Sequence, residues 1–215
     1  MSQNLAPRPL PRGPHGLERD VVLASQRGRM LRAMADAVAG KGYAATTVAD
    51  VVAGAGVSRK TFYEHFRDKE ECFLAAFDTS VDLLLKAIRE ARAEDPDDRL
   101  DVMRARTRAY LETLASEPAF ARTFLIEVYA AGPRALDRRA EVLRRFAQLF
   151  RELHEEANAE PVPEAIYVAA VAAINELVSD LARSDRTSEL PQLEDTLLYL
   201  QRALFEGQRD APAVP

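Results

Sequence analysis

Apolar residues recur along this chain at intervals of three and four, the period of α-helices with one buried face. Runs of alternating β-branched residues, which would mark strands, are absent. The first helical segment spans residues 20–40, with Leu23, Met30, Leu31, Met34 and Val38 on one face and Gly40 and Gly42 as its stop. Tyr43 then packs back toward it. A longer helix starts near Lys69, carries Phe73, Leu74, Phe77, Val81, Leu84, Leu85 and Ile88 at helical spacing, and ends in the acidic break at 94–98. Further helices are predicted near 97–115, 117–130, 134–158, 163–184 and 189–206, with Pro118, Pro133, Pro161, Pro163 and Pro191 at or near their starts.

Between the first and the long helix lies TTVADVVAGAGVSRKTFYEHFRDK, residues 46–69. It reads as helix, glycine turn, helix and the start of a third. Thr47, with Asp50 three residues on, is an N-cap with an acidic partner. Val48, Val51 and Val52 give an inward face, and Gly54, Ala55 and Gly56 break the helix, since glycine tolerates a positive φ. Val57 plugs the gap between the two helices. Ser58 caps the second, whose buried stripe is Phe62 and Phe66, four apart. Arg59, Lys60, Thr61, Tyr63 and Glu64 remain outside. A helix-turn-helix places its second helix in the major groove, so the expected partner is double-stranded DNA.

This stretch resembles the DNA-binding domain of TetR-family transcriptional regulators, whose signature looks like T-x-x-x-I-A-x-x-A-G-V-S-x-x-x-x-Y-x-x-F-x-x-K. Thr47, Val51, Ala55, Gly56, Val57, Ser58, Tyr63, Phe66 and Lys69 match it. The resemblance in detail covers residues 25–90, and the remainder is similar only in length and helical character. Val52 stands where the family usually has alanine, and Lys60 where a small residue is common. The resemblance implies that Arg59 and Lys60 reach base edges, an arginine–guanine fork contributing about 1–3 kcal/mol of discrimination. It gives Thr47, Ser58, Thr61, Tyr63, His65 and Lys69 to phosphates, which fix register without reading sequence. Glu64 either accepts from cytosine or faces solvent. The fold implied is all-α, with a three-helix helix-turn-helix domain at 19–68 and a larger helical ligand-binding and dimerisation domain at 69–208.

The net charge of −5 runs against DNA binding until it is divided. Residues 1–70 carry eleven cations and seven anions, a net +4, and residues 71–215 carry eighteen and twenty-seven, a net −9. The basic end holds the helix-turn-helix. Residues 1–18, with Pro7, Pro9, Pro11, Pro14, Arg8 and Arg12, read as a disordered arm, either a plain tail or a minor-groove probe, and 209–215 as a flexible tail. Cys72 is the single cysteine, which excludes an intrachain disulfide and fits a reducing cytoplasm. It is either a small core residue or, at a helix start, a redox sensor. His15, His65 and His154 are too dispersed to hold a metal, and no phosphate loop or catalytic triad stands out, so neither metal, cofactor nor enzyme activity is expected. No apolar run is expected to cross a bilayer, and the amino terminus lacks a signal-peptide core.

The carboxyl-terminal helices differ from the rest. Residues 165–178, AIYVAAVAAINELV, are apolar nearly all round and must be covered on most sides. Leu190, Leu193, Leu197, Leu200 and Leu204 are spaced 3, 4, 3, 4, a seam for packing helix on helix. Two such helices per subunit suit a four-helix homodimer interface built on Val171, Ile174, Val178, Leu193, Leu197, Leu200 and Leu204, as in TetR-like proteins; otherwise both are intrachain core. The resemblance also implies a pocket for a small-molecule effector. Met103, Thr107, Tyr110, Phe124, Val128, Phe146 and Phe150 lie on inward faces, and Asn175 interrupts an apolar helix. Glu127 and Glu176, in apolar surroundings, need partners: either they orient a ligand or they pair with arginines such as Arg104 or Arg108. The function implied is a repressor released from a palindromic operator when a hydrophobic or amphipathic effector moves the helix that begins near Lys69. An activator, or a regulator without ligand, fits the same fold, and a helical small-molecule carrier or enzyme is the remaining alternative.

Overall fold

The computed structural model describes residues 19–156 and 162–205, with side chains placed from residue 24 onward within the first helix. The arm at 1–18, the tail at 209–215 and the Leu23 side chain lie outside the described residues. The protein is all-α, with no strand among the described residues. Helix α1 (Arg19–Lys41) buries Met30, Leu31, Met34 and Val38, as its period requires. Helix α2 (Val48–Ala55) starts on a capping box in which Thr47 and Asp50 bond each other's backbone N–H. Ser58 caps α3 (Arg59–His65) by accepting from the Thr61 N–H, and Phe62 and Phe66 seal α3 to the core.

Glycine positions in the turn divide the work differently from expectation. Helix α2 continues through Gly54 to Ala55, and only Gly56, at φ +62°, makes the left-handed turn. A Cβ at Gly54 would lie 3.1 Å from the Ala33 Cβ, so this glycine lets α2 approach α1 closely. Arg29 then closes the α2 end by donating from Nε to the Ala55 carbonyl at 3.0 Å.

Helix α4 (Lys69–Glu90) is capped by Asp68, which accepts from the Glu71 N–H at 2.8 Å. Its buried face joins α1 to the bundle, so one apolar cluster runs from Met30 through Phe73 and Phe77 to Phe124, Val142 and Leu149. Cys72 lies inside that cluster, fully buried, and burial pushes its thiol up to about 12. Such a group is a core residue, because a redox sensor needs an accessible thiolate.

Helices α5 (Arg99–Ser116), α6 (Pro118–Leu125), α7 (Pro133–Glu156), α8 (Glu164–Arg183) and α9 (Glu194–Phe205) complete the bundle. Two predicted helices are each split. The segment 117–130 breaks at Ile126 into α6 and a 3₁₀ turn, Glu127–Ala130. The last begins as a 3₁₀ segment, Thr187–Leu193, with Pro191 inside it. Helix α8 is long and apolar enough to cross a membrane by length and composition, contrary to the sequence expectation. Its Tyr167, Ala170, Ile174 and Val178 are nonetheless buried within the bundle.

The leucine seam faces its own subunit. Ile174, Val178, Leu190 and Leu197 form a cluster with Leu111 of α5, with Leu193 and Leu200 packed at its margin. Val171 belongs to a second cluster with Tyr167 and Phe205, flanked by Leu204. Val171, Ile174, Val178 and Leu197 are therefore core rather than interface. Heptad-like spacing specifies helix packing, and α5 of the same chain satisfies it.

Candidate nucleic-acid interface and cavity

Helix α3 presents a short polar face, since Phe62 holds its other side against the core. Arg59 and Lys60 are exposed at its first turn, and the Lys60 Nζ stands 4.0 Å from the Glu64 carboxylate. Tyr63 is 55% exposed, its ring edge-on to Phe62. An exposed tyrosine anchored on a buried ring is presented outward with little freedom to lose. Thr61 is half-buried and its hydroxyl lies 3.0 Å from that of Ser58. Thr47 and Ser58 are exposed at two helix starts, where backbone N–H groups favour an anion.

Two residues assigned to phosphates are engaged elsewhere. Lys69 Nζ donates to the carbonyls of Tyr43 and Thr46, each at 2.9 Å, and lies 4.1 Å from the Tyr43 ring centre. Burial lowers its ammonium from the ordinary value. Lys69 is thus a brace between α4 and the α1–α2 loop. His65 packs beside Phe66, its Nε2 enclosed, and burial, then Arg27, lowers its imidazole from the ordinary value. A neutral ring turned inward is a poor phosphate ligand.

Behind the head, α1 to α3, a cavity of about 1200 Å³ opens among α1 and α4 to α9. It exceeds the range of about 300–1000 Å³ usual for small-molecule sites. Met103, Thr107 and Tyr110 of α5 line it. So do Phe124, Phe146, Phe150 and Asn175 of α6 to α8. Val128 does not; it is fully buried in the core shared with α1, because the 3₁₀ turn aims it away from the bundle interior. Tyr110 keeps surface toward the cavity while its surroundings raise its hydroxyl above the ordinary value through desolvation. Gln201 donates to Thr107 at 3.1 Å, giving the wall one polar step, and Asn175 reaches the Ser179 hydroxyl at 3.5 Å.

Three cations that sequence reasoning passed over stand along the α4–α5 side of the cavity: Arg92, Arg99 and Arg106. Arg106 lies 3.6 Å from Glu156, and its buried Nε has no partner in the protein. At the head-facing side the wall includes Arg32 and Glu117. Arg32 makes a bidentate pair with Glu117, its second bond 2.8 Å long, and this pairing raises the guanidinium above its ordinary value. Glu127 does not pair with Arg104 or Arg108. It accepts from the Tyr43 N–H at 3.1 Å, while both arginines bind Glu194 at the start of α9. Glu176 is exposed and lies 3.6 Å from Arg183. An arginine amid the apolar face of the first helix, and an unpaired-looking glutamate before Pro118, were the available signals for the Arg32–Glu117 pair. Among the described residues no group of side chains could hold a metal.

A basic helix-turn-helix joined to a hollow helical bundle defines a class of bacterial regulator, and the comparisons agree. Residues 31–76 match the model of bacterial regulatory proteins, tetR family. That match covers the helix-turn-helix head and the start of α4. It is 29% identical over 108 residues to the HTH-type transcriptional activator FasR of Mycolicibacterium smegmatis, a match covering 50% of this chain and 49% of the relative. The match thus spans about half the relative's length. Among solved structures, a TetR-family regulator from Syntrophomonas wolfei superposes with TM-score 0.71 at 17% identity, covering 88% of this chain and 99% of that one. The fatty acid degradation regulator FadR from Bacillus halodurans gives 0.68 at 20% identity, covering 86% and 96%. FadR from Bacillus subtilis, solved in complex with stearoyl-CoA, gives 0.67 at 17% identity, covering 83% and 97%. These structural likenesses establish the fold.

Proposed function

We propose that this chain is a homodimeric operator-binding regulator whose DNA affinity is set by a long-chain amphiphile with an anionic head, of the fatty acyl thioester class. The observation that carries this reading is the cavity: about 1200 Å³ lined by Phe124, Phe146 and Phe150, with Arg92, Arg99 and Arg106 along one side. The apolar trunk suits an alkyl chain, and guanidinium groups suit carboxylate or phosphate oxygens. The stearoyl-CoA complex of the Bacillus subtilis relative supports the same ligand class.

Arg59 and Lys60 read bases, while Tyr63, Thr61 and the helix starts at Thr47 and Ser58 hold phosphates. Dimerisation uses the outward faces of α8 and α9, where Val168, Ala169, Ala172, Leu177 and Tyr199 are exposed. Release from the operator is the favoured sign. One bond between head and bundle, Arg32 to Glu117, borders the cavity, so an occupant has a bond to break there. The activator FasR favours the opposite sign. Gel mobility shift with a duplex selected from random sequence by the wild-type protein, titrated with stearoyl-CoA, tests both. Salt-sensitive retention that falls with stearoyl-CoA is the expected result. Retention that rises reverses the sign, and indifference to stearoyl-CoA removes the effector.

A further inference from the structure

The segment Glu117 to Glu127 has two faces. One holds the head at three points: Glu117 to Arg32, the Thr123 hydroxyl to the Ala35 carbonyl at 3.0 Å, and Glu127 to the Tyr43 N–H at 3.1 Å. The other places Phe120, Ala121, Phe124 and Leu125 on the cavity wall. Only the first of the three bonds has both partners lining the cavity. Its guanidinium lies 4.5 Å from the centre of the Phe120 ring. Glu117 occupies the N-cap of α6 yet makes no capping bond, so its side chain serves the pair alone.

Helix α4 also borders the cavity, but its polar tie to the head is Lys69 with the Tyr43 and Thr46 carbonyls, and none of these three residues lines the cavity. The hydrogen-bonded tie between cavity wall and head is therefore the one from α6 to Arg32 of α1. We propose that the Arg32–Glu117 pair is a latch: an alkyl chain long enough to reach Phe120 displaces that ring, draws Arg32 from Glu117 and frees α1 from α6. This rests on the amphiphile reading above. A bidentate pair, partly shielded and joining positions 85 apart, is the kind that carries weight where isolated surface pairs carry little. It supplies a two-state element that cavity and head both bias. It also makes Phe120 a gauge of chain length.

The test uses the full-length protein and the selected duplex. Duplex affinity is measured for wild type, Glu117→Gln, Arg32→Gln and the swap Arg32→Glu with Glu117→Arg, each with and without stearoyl-CoA. Binding of stearoyl-CoA to the protein is followed separately by calorimetry, and folding by melting temperature. Glu117→Gln is expected to melt close to wild type and, with no latch left to open, to bind stearoyl-CoA at least as tightly as wild type. Its duplex affinity should differ at least about fivefold from wild type without stearoyl-CoA, and respond to stearoyl-CoA less than about twofold. The swap restores both values. Wild-type affinity and response in Glu117→Gln overturn the latch, and so does a folded swap that recovers nothing. If stearoyl-CoA binds no variant, the effector reading falls alone, and the affinities measured without it still decide the latch.

Discussion

In the head, residues with a common task are neighbours in sequence: Arg59, Lys60 and Tyr63 stand exposed on one short helix. In the bundle, the cavity draws on seven helices, from Gly28 of α1 to Phe205 of α9. The head concentrates chemistry because a recognition helix must present its polar side chains on one face, with the opposite face fixed to a core. The bundle disperses chemistry because a cavity is what remains when several helices fail to close on one another. A local motif can therefore define the first, and only tertiary packing can define the second.

The sharpest way to break this contrast is inside α3, where two adjacent rings have opposite roles. Phe62 is fully buried and Tyr63 is 55% exposed. Phe62→Ala should destabilise the fold by about 3–5 kcal/mol, and duplex binding should disappear with it. Tyr63→Ala should leave stability within about 0.5 kcal/mol while weakening binding to all duplexes alike. Urea denaturation and mobility shift on the same samples separate the two. If Tyr63→Ala lost stability instead, the outward face of α3 would be structural.

A second pair probes the bundle. Leu197 is 1% exposed and Tyr199, two residues on, is 76% exposed. Leu197→Ala should cost about 2–5 kcal/mol in denaturation experiments on the subunit. Tyr199→Ala should leave the subunit fold intact and raise the dimer dissociation constant, read by sedimentation. The reverse pattern would return the leucine seam to the interface.

These pairs also mark what the sequence made legible. Thr47, Gly56, Ser58, Phe62 and Phe66 were placed correctly because caps, turns and i,i+4 pairs are local devices. Seven of the eight predicted cavity residues line the cavity, since inward faces can be read from period. Val128 failed because the helix that should have carried it breaks at Ile126, and a 3₁₀ turn aims side chains differently. Lys69 and His65 were assigned to phosphates because cation and ring looked available, and only tertiary packing reveals the carbonyls and the Phe66 ring that engage them. The leucine seam was read toward a second subunit, but its period cannot say which helix covers it, and within the subunit α5 covers Leu197.

Within the head, base reading and phosphate holding differ by a smaller margin. Arg59→Ala should relax sequence preference by about 1–3 kcal/mol at one position, while Thr61→Ala should lower affinity uniformly. Selection from random duplexes, repeated with each variant, measures the difference. An Arg59→Ala protein that selects the wild-type sequence would move base reading to Lys60 or beyond.

The weakest effect belongs to the cap that starts α2. Asp50 bonds the Thr47 N–H at 2.7 Å and meets Lys41 Nζ at 2.6 Å. Lys41 first, then Thr47, hold its carboxyl well below the usual aspartate range. Because the folded value is depressed, its contribution is present above the unfolded value of about 4 and is lost as pH falls from there toward the folded value. The group is at the surface, so salt screens the Lys41 part. The melting difference between wild type and Asp50→Asn should therefore be largest near neutral pH, shrink below about pH 4, and narrow with added salt. A difference that stays constant across that range would show the cap working through its backbone hydrogen bond alone, with no contribution from the Asp50 charge.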